Sequence, residues 1–425
     1  MRGSDPAAPA PADVTAGAAP SPARRLTFAL AALALLCLLC APFFVDLADH
    51  DAPQARDGVI DYAAYGALER PVGLGGDWRM TWLSRGPGQP PAGTRGRMHV
   101  PGPWADQTLA GAELPQRGAV AYDLTIRGLR PGRYLLHVPQ LYEAARVSLD
   151  GKVISERGAF GLTPGAVRYE VRSHDIPFEA DGRDLRLTIE LASFLHRDTG
   201  IETAPALGLA EPMSRWTTLS WLRGAMFVTA TVLLGCFGLV VFLFRRRDRA
   251  SAYIAFATLS LIPIAAIFSH DNLILIAFPG MSLRTMLTLQ YLPGIAALAC
   301  FFGYAHHLFP RESSRRVFWL VQGLLGAAFL AHAGALALGD TLLASKMSFW
   351  MLPLRGVIFA YMVWIVVRAV LRGRNSAPLF LLGITVFITS LFSYDLLTNG
   401  LLRQDRVGID LPALGMLVLL FSHIV

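Results

Sequence analysis

Two periodicities divide the chain. Trp78, Met80 and Trp82 alternate with Arg79 and Thr81, and Tyr122, Leu124 and Ile126 with Asp123 and Thr125. Val147 and Leu149 alternate with Arg146 and Ser148, and Leu185, Leu187, Ile189 and Leu191 with Arg186, Thr188 and Glu190. A period of two marks strands that bury one face. Asp150-Gly151 separates Val147–Leu149 from Val153-Ile154, and a tight primed turn requires the positive φ that these two residue types tolerate. Short strands broken by Gly and Pro turns predict an antiparallel sandwich over 46–217, long enough to bury its own core.

From Trp221 onward the alternation gives way to continuous apolar runs at 222–244, 250–268, 286–309, 317–338, 348–370, 378–397 and 411–425. A helix needs ~20 apolar residues to cross ~30 Å of hydrocarbon at 1.5 Å per residue. Six runs reach that length. The seventh begins after Asp410 and meets Val425 without a polar flank, so the chain is expected to continue beyond it. The expected architecture is an all-β sandwich at 46–217 followed by an all-α, seven-helix transmembrane bundle at 218–425.

A further apolar run, 26–45, follows Arg24 and Arg25 and a tail rich in Ala, Pro, Ser and Gly. Residues 1–25 read as a disordered cytoplasmic tail and 26–45 as one N-terminal membrane helix. That run is either an uncleaved signal anchor or a signal peptide. Its length and the lack of a small-x-small cleavage site favour the anchor.

Arginine sets the orientation. The connections after the first, third and fifth runs carry Arg245, Arg246, Arg247 and Arg249, then Arg311, Arg315 and Arg316, then Arg372 and Arg374. The opposite connections hold only Arg284, Lys346, Arg403 and Arg406. Positive charge in short loops marks the cytoplasmic side, so the sandwich is expected outside the cytoplasm and Val425 inside it.

Composition changes this picture little. The chain is 53% hydrophobic with mean hydropathy +0.44. Its net charge of +7 sits largely in the membrane-flanking loops, which argues against a nucleic-acid partner. The four cysteines, Cys37, Cys40, Cys236 and Cys300, all fall in apolar runs, so no disulfide is expected in the sandwich.

A resemblance refines the reading. Val100-Pro101-Gly102-Pro103-Trp104, then Tyr122, then Val147-Ser148-Leu149-Asp150-Gly151-Lys152-Val153, resembles the jelly-roll sugar-binding domain of β-galactosidase-type glycoside hydrolases. More closely, 70–425 resembles bacterial seven-transmembrane receptors with diverse intracellular signalling modules. This likeness rests on Gly158 to Gly161, Ser193-Phe194-Leu195-His196-Arg197 with Gly200-Ile201, and Leu207-Gly208. In the apolar half it rests on Arg245-Arg246-Arg247-Asp248-Arg249, Gln290-Tyr291-Leu292, Leu308-Phe309-Pro310 and Asp395-Leu396-Leu397-Thr398-Asn399-Gly400. The chain departs from the family pattern at Ser193 and at Thr199-Gly200. The resemblance implies a jelly-roll sensor and, beyond the seventh helix, a cytoplasmic histidine kinase, a nucleotide or diguanylate cyclase, or a phosphatase. No catalytic motif of those modules, and no other catalytic set, occurs in these residues, and no cofactor is expected.

Two groups of residues are candidates for chemistry. In the sandwich, Trp104, Tyr142, Arg146, Phe194, His196 and Arg197 combine aromatic faces with charged forks, the types that hold a carbohydrate; a core and solvated-surface role explains the same residues. In the bundle, Arg355, Asp395, Gln290, Tyr291 and Asn399 fall at similar depth and predict a polar cluster centred on an Arg355–Asp395 pair. Paired His306-His307 reads as interfacial anchoring, and His270, Asp271 and His332 lack the spacing of a metal site. Three function classes remain on the page: a sensory receptor, a transporter or intramembrane enzyme with an accessory carbohydrate-binding domain, and an anchored lectin. Few ionisable groups lie in the apolar runs, which favours the receptor. Its expected partners are the lipid bilayer, a periplasmic small-molecule or protein ligand, a cytoplasmic signalling domain in cis, and a second copy in a homodimer.

Overall fold

A computed structural model describes residues 52–384, apart from positions 87, 106, 198, 245, 270, 271, 375, 376, 379 and 382. The tail at 1–25, the membrane helix at 26–45, most of the run at 378–397 and all of 411–425 lie outside the described residues, as do Asp395, Asn399, His270 and Asp271.

The first half is a two-sheet sandwich. Its larger sheet is ordered β11-β10-β13-β8-β3-β4, with β1 added parallel to β8. The members are β1 (Val59–Asp61), β3 (Gly76–Trp82), β4 (Arg95–Val100), β8 (Gly118–Arg127), β10 (Ala144–Leu149), β11 (Lys152–Arg157) and β13 (Leu185–Ser193). The second sheet is ordered β12-β9-β15-β2, from β2 (Val72–Gly73), β9 (Gly132–Val138), β12 (His174–Ala180) and β15 (Ala206–Leu209). Short pairs β5–β14 (Gly102–Pro103, Gly200–Ile201) and β6–β7 (Thr108–Leu109, Ala112–Glu113) complete it.

The alternation in sequence is the alternation in space. Along β3, Trp78, Met80 and Trp82 are buried between exposed Asp77 and Arg79 and half-buried Thr81. Asp150 and Gly151 turn the β10–β11 hairpin at φ of 49° and 79°. Trp78, Trp82, Trp104, Tyr122, Leu136, Val138, Ile176 and Leu207 share one core drawn from both sheets. Gly118 of β8 lies against the indole of Trp82, where any Cβ would overlap the ring.

The second half is helical: α1 (Ala210–Phe244), α2 (Arg249–Ile267), α3 (Leu273–Ala277), α4 (Leu283–Leu308), α5 (Arg315–Ala337), α6 (Thr341–Trp350) and α7 (Leu352–Leu371). Five of them, α1, α2, α4, α5 and α7, are long and apolar enough to cross a membrane. Leu234, Ile254, Phe301, Phe302, Phe318, Ile358 and Ile365 form their common core. Phe244, Trp319, Leu320, Leu330, Val357 and Leu371 are exposed on the outside, as lipid-facing side chains are.

Two helices differ from the sequence reading. The run at 348–370 holds a span in α7, but one that starts later than the sequence reading: the helix breaks at Met351, because Pro353 has no N–H and must sit in a first turn, so Ser348–Trp350 belong to α6. Conversely α1 is 35 residues long and follows β15 without an intervening loop. At 1.5 Å per residue that is about 52 Å, well over the ~30 Å of a hydrocarbon core, so its first turns stand clear of the membrane. Those turns belong to the sandwich: Met213 is fully buried, and Trp216 meets the His137 ring edge-on at 5.2 Å.

Because the sandwich core closes on itself, residues 52–217 expressed alone should be β-rich by circular dichroism and unfold cooperatively, with no dependence on reductant. A fragment starting at Gly66 loses β1 and the buried Ile60 and Tyr62 and should unfold at lower urea; Trp78→Ala should cost about 3–5 kcal/mol.

His174 gives a pH signature. Its ring is buried, its Nδ1 lies 2.8 Å from Ser155 Oγ, and burial, helped by Arg157, holds its pKa down at about 3 against the usual 6.5. Between those values the unfolded chain binds a proton that the folded one does not, so this contribution is intact above pH 6.5 and is lost as pH falls toward 3. In urea titrations of residues 52–217, His174→Asn should flatten the decline in stability between pH 6.5 and 4 relative to wild type.

Candidate functional site

The sandwich sits on the helices through a buried seam. On the sandwich side are Tyr142, just before β10, and the loop from Phe194 to Arg197 that follows β13. On the helical side are Gln290 and Tyr291 of α4, the first turns of α6, and Asn272 just before α3.

His196 is at the centre. Its imidazole stacks on the Tyr142 ring at 4.5 Å, and its Nε2 lies 3.0 Å from the Tyr291 hydroxyl. Both His196 and Tyr291 are buried. The Tyr142 hydroxyl donates to Gln290 Oε1 at 3.4 Å, and Tyr291 in turn meets the buried His332 of α5 edge-on at 6.0 Å. Three side chains in sequence therefore connect the sandwich to α4 and on to α5.

Main-chain groups fix the register. Thr341 Oγ1 donates to the Leu195 carbonyl at 2.7 Å, and the Arg197 N–H donates to Ser345 Oγ at 3.0 Å. Thr341 and Ser345 are four apart and so lie on one face of α6. Asn272 Nδ2 donates to the Val171 carbonyl at 2.9 Å. The Arg197 guanidinium lies 3.6 Å above the centre of the Phe349 ring, a cation–π contact at the short end of its range. Tyr142, Val171, Ile267, Leu287 and Tyr291 supply the apolar packing around these bonds.

Loop 194–200 is itself held tightly. The Phe194 N–H donates to the Tyr169 hydroxyl at 2.9 Å, and burial pushes the Tyr169 phenol up to about 12, so it stays protonated. The Gly200 N–H donates to buried Glu143 at 2.9 Å. Gly200 has φ of 121° with the Gly102 carbonyl beneath it, a place no Cβ fits.

The six sandwich candidates are thus distributed over three places. Trp104 is in the core, its indole donating to the Pro115 carbonyl at 3.1 Å. Arg146 lies on the outer face of the larger sheet, ion-paired with Glu156 and Glu190 and 5.0 Å over Phe160. Phe194 packs beside it with Ala119, Ala144 and Val167. Tyr142, His196 and Arg197 face the helices.

Of the bundle cluster, Gln290 and Tyr291 join the seam, whereas Arg355 donates to the Ser348 carbonyl at 2.7 Å. Its expected pairing with Asp395, and any part for Asn399, fall outside the described residues. Among the described residues no three His, Cys, Asp or Glu side chains gather as a metal site. Sequence reasoning missed Thr341, Ser345 and Asn272, which bond main-chain atoms and leave no pattern.

The far end of the bundle carries a second polar device. Glu312, in the α4–α5 loop, is buried and lies 3.4 Å from Arg372 and 3.6 Å from Arg374, just after α7. Its carbonyl also takes Arg368 Nη1 at 3.5 Å. A buried carboxylate is retained only with such compensation.

The seam should behave as one unit. His196→Ala removes the imidazole partner of the buried Tyr291 hydroxyl and should raise amide exchange at Arg197 by about tenfold or more, since an unmade buried bond costs about 1–3 kcal/mol. Tyr291→Phe should do less, and the double variant no more than His196→Ala alone; additive effects would mean that the two side chains do not interact.

Comparison with known proteins bears on both halves. Residues 221–424 match the family model described as 7TM diverse intracellular signalling. The match starts at the apolar half, so the sandwich stands outside it. A search of curated proteins returned no match. Among solved structures, a GH2 beta-galacturonidase from Eisenbergiella tayi matches with TM-score 0.25 at 15% identity, over 33% of this chain and 24% of that one. A beta-glucuronidase from an uncultured Clostridium species matches with TM-score 0.26 at 16% identity, over 32% and 28%. The Ruminococcus gnavus beta-glucuronidase matches with TM-score 0.26 at 12% identity, over 33% and 29%. The chain therefore spans only about a quarter of the length of these enzymes. The helical half, residues 221–424, belongs to the 7TM diverse intracellular signalling family.

Proposed function

We propose that the protein is an inner-membrane sensory receptor in which the periplasmic sandwich responds to a small molecule or partner and displaces the helices beneath it. The observation that carries this reading is the seam: His196 and Tyr291 are buried together at 3.0 Å, so the sandwich cannot shift without moving α4. A tethered accessory domain has no need of buried polar contacts with several helices. The direct passage of β15 into α1 adds a stiff lever from sheet to membrane.

The orientation follows from charge. Arg246, Arg247, Arg311, Arg315, Arg372 and Arg374 flank the helix ends remote from the sandwich, and the positive-inside rule puts them in the cytoplasm. At that end the Glu312–Arg372–Arg374 cluster ties the α4–α5 loop to the end of α7. Two compact packings of this cluster would offer a cytoplasmic signalling domain in cis two different surfaces.

Amide exchange of the full chain in nanodiscs tests the reading. His196→Ala, standing in for displacement of the sandwich, should change protection at 310–316 as well as at the seam. Changes confined to the seam would remove the receptor mechanism. In intact cells an impermeant thiol reagent should label Asp181→Cys and spare Arg247→Cys; the reverse pattern would invert the orientation.

A further inference from the structure

Beside the seam, on the other face of α6, the two halves leave an open cleft of about 560 Å³, lined by Gln89, Gln116, Arg117, Leu342, Leu343 and Lys346. Thr341 and Ser345 grip the sandwich from one side of α6; Leu342 and Lys346, again four apart, face the cleft. The volume falls within the ~300–1,000 Å³ of ordinary small-molecule sites.

The charges in the cleft are unbalanced. Among the described residues neither Arg117 nor Lys346 pairs with a carboxylate. Asp340 also borders the space, but its Oδ1 accepts the Leu343 N–H at 2.9 Å as the N-cap of α6, so its carboxylate is turned to the helix terminus. Gln89 spans the sandwich wall: its Nε2 donates to the Arg117 carbonyl at 3.1 Å, which fixes the loop that carries Arg117, and its Oε1 is buried without a partner. Lys346 is one of only two lysines in a chain that otherwise uses arginine, and an ammonium offers three donors in any direction.

We propose that this cleft is an anion site in which Arg117 from the sandwich and Lys346 from α6 close on one phosphate or carboxylate group of a small, hydroxylated ligand. Gln116 receives its hydroxyls, and Leu342 and Leu343 contact its carbon frame. One cation comes from each half, so occupancy draws the sandwich toward α6 and loads the seam directly. As the signal input this site rests on the receptor reading; as a binding site it does not. Its place where the sandwich meets the membrane gives the anion two sources, a free solute or a phospholipid headgroup.

Thermal unfolding of the full chain in phosphatidylcholine nanodiscs, titrated with inorganic phosphate, tests the site. Phosphate should raise the midpoint in the wild type. Arg117→Gln and Lys346→Gln should each weaken the apparent affinity about tenfold, as expected for one charge-assisted bond, and the double variant should not respond. Their midpoints without phosphate should match the wild type, and Lys152→Gln, the other lysine, should respond normally. If the source is lipid, nanodiscs containing phosphatidylglycerol raise the midpoint without phosphate, again through Arg117 and Lys346. The site is wrong if neither arm shifts the wild type, or if the double variant keeps the shift. Phosphate binding with no change of exchange at 310–316 keeps the site and removes its signalling role. A wild type that responds to neither phosphate nor phosphatidylglycerol, together with a His196→Ala effect at 310–316, keeps the receptor and removes the site.

Discussion

A hydrogen bond between an imidazole and a phenol, sealed from water, holds the two halves in one arrangement. His196 and Tyr291 are both buried, and a polar atom buried without a partner costs about 1–3 kcal/mol, more than a hydrogen bond returns when it is made. The asymmetry makes the seam selective. A small slide of the sandwich over α4 would break the bonds of His196 Nε2, the Tyr291 hydroxyl, Thr341 Oγ1 and the Arg197 N–H together. Apolar packing around Tyr142, Val171 and Ile267 supplies adhesion, which tolerates sliding; the bonds supply register, which does not.

The same constraint explains why loop 194–200 is built as it is. It must present His196 downward and an N–H at Arg197 sideways, and so it is pinned at both ends, by Tyr169 on Phe194 and by Glu143 on Gly200. Gly200 allows the closure, since its φ of 121° over the Gly102 carbonyl excludes a side chain. A stiff sheet, a pinned loop and a buried contact make a chain of parts that can have few intermediate positions. At the opposite end Glu312 with Arg372 and Arg374 repeats the logic with charge: a carboxylate out of water is tolerable in few geometries.

The amino-acid sequence by itself determined the two halves. Period-two alternation in β3, β8, β10 and β13, and the Asp150-Gly151 turn, depend on neighbours a few residues away, and local geometry is what a sequence states most directly. The apolar runs gave α1, α2, α4, α5 and α7 within a few residues at their ends remote from the sandwich, because hydrocarbon demands a fixed length. Tertiary structure alone decided where the candidate side chains went. An aromatic or arginine carries no mark of which surface will cover it, so Trp104, Arg146 and His196 look alike in sequence and end in a core, on an open sheet and against a membrane helix. The second sheet was also hidden, since β9 and β12 find their register through partners more than thirty residues distant. Gln290 and Tyr291 were legible as polar intruders in an apolar run, yet their partners, Tyr142 and His196, lie 148 and 95 residues away, a separation only the folded chain can close.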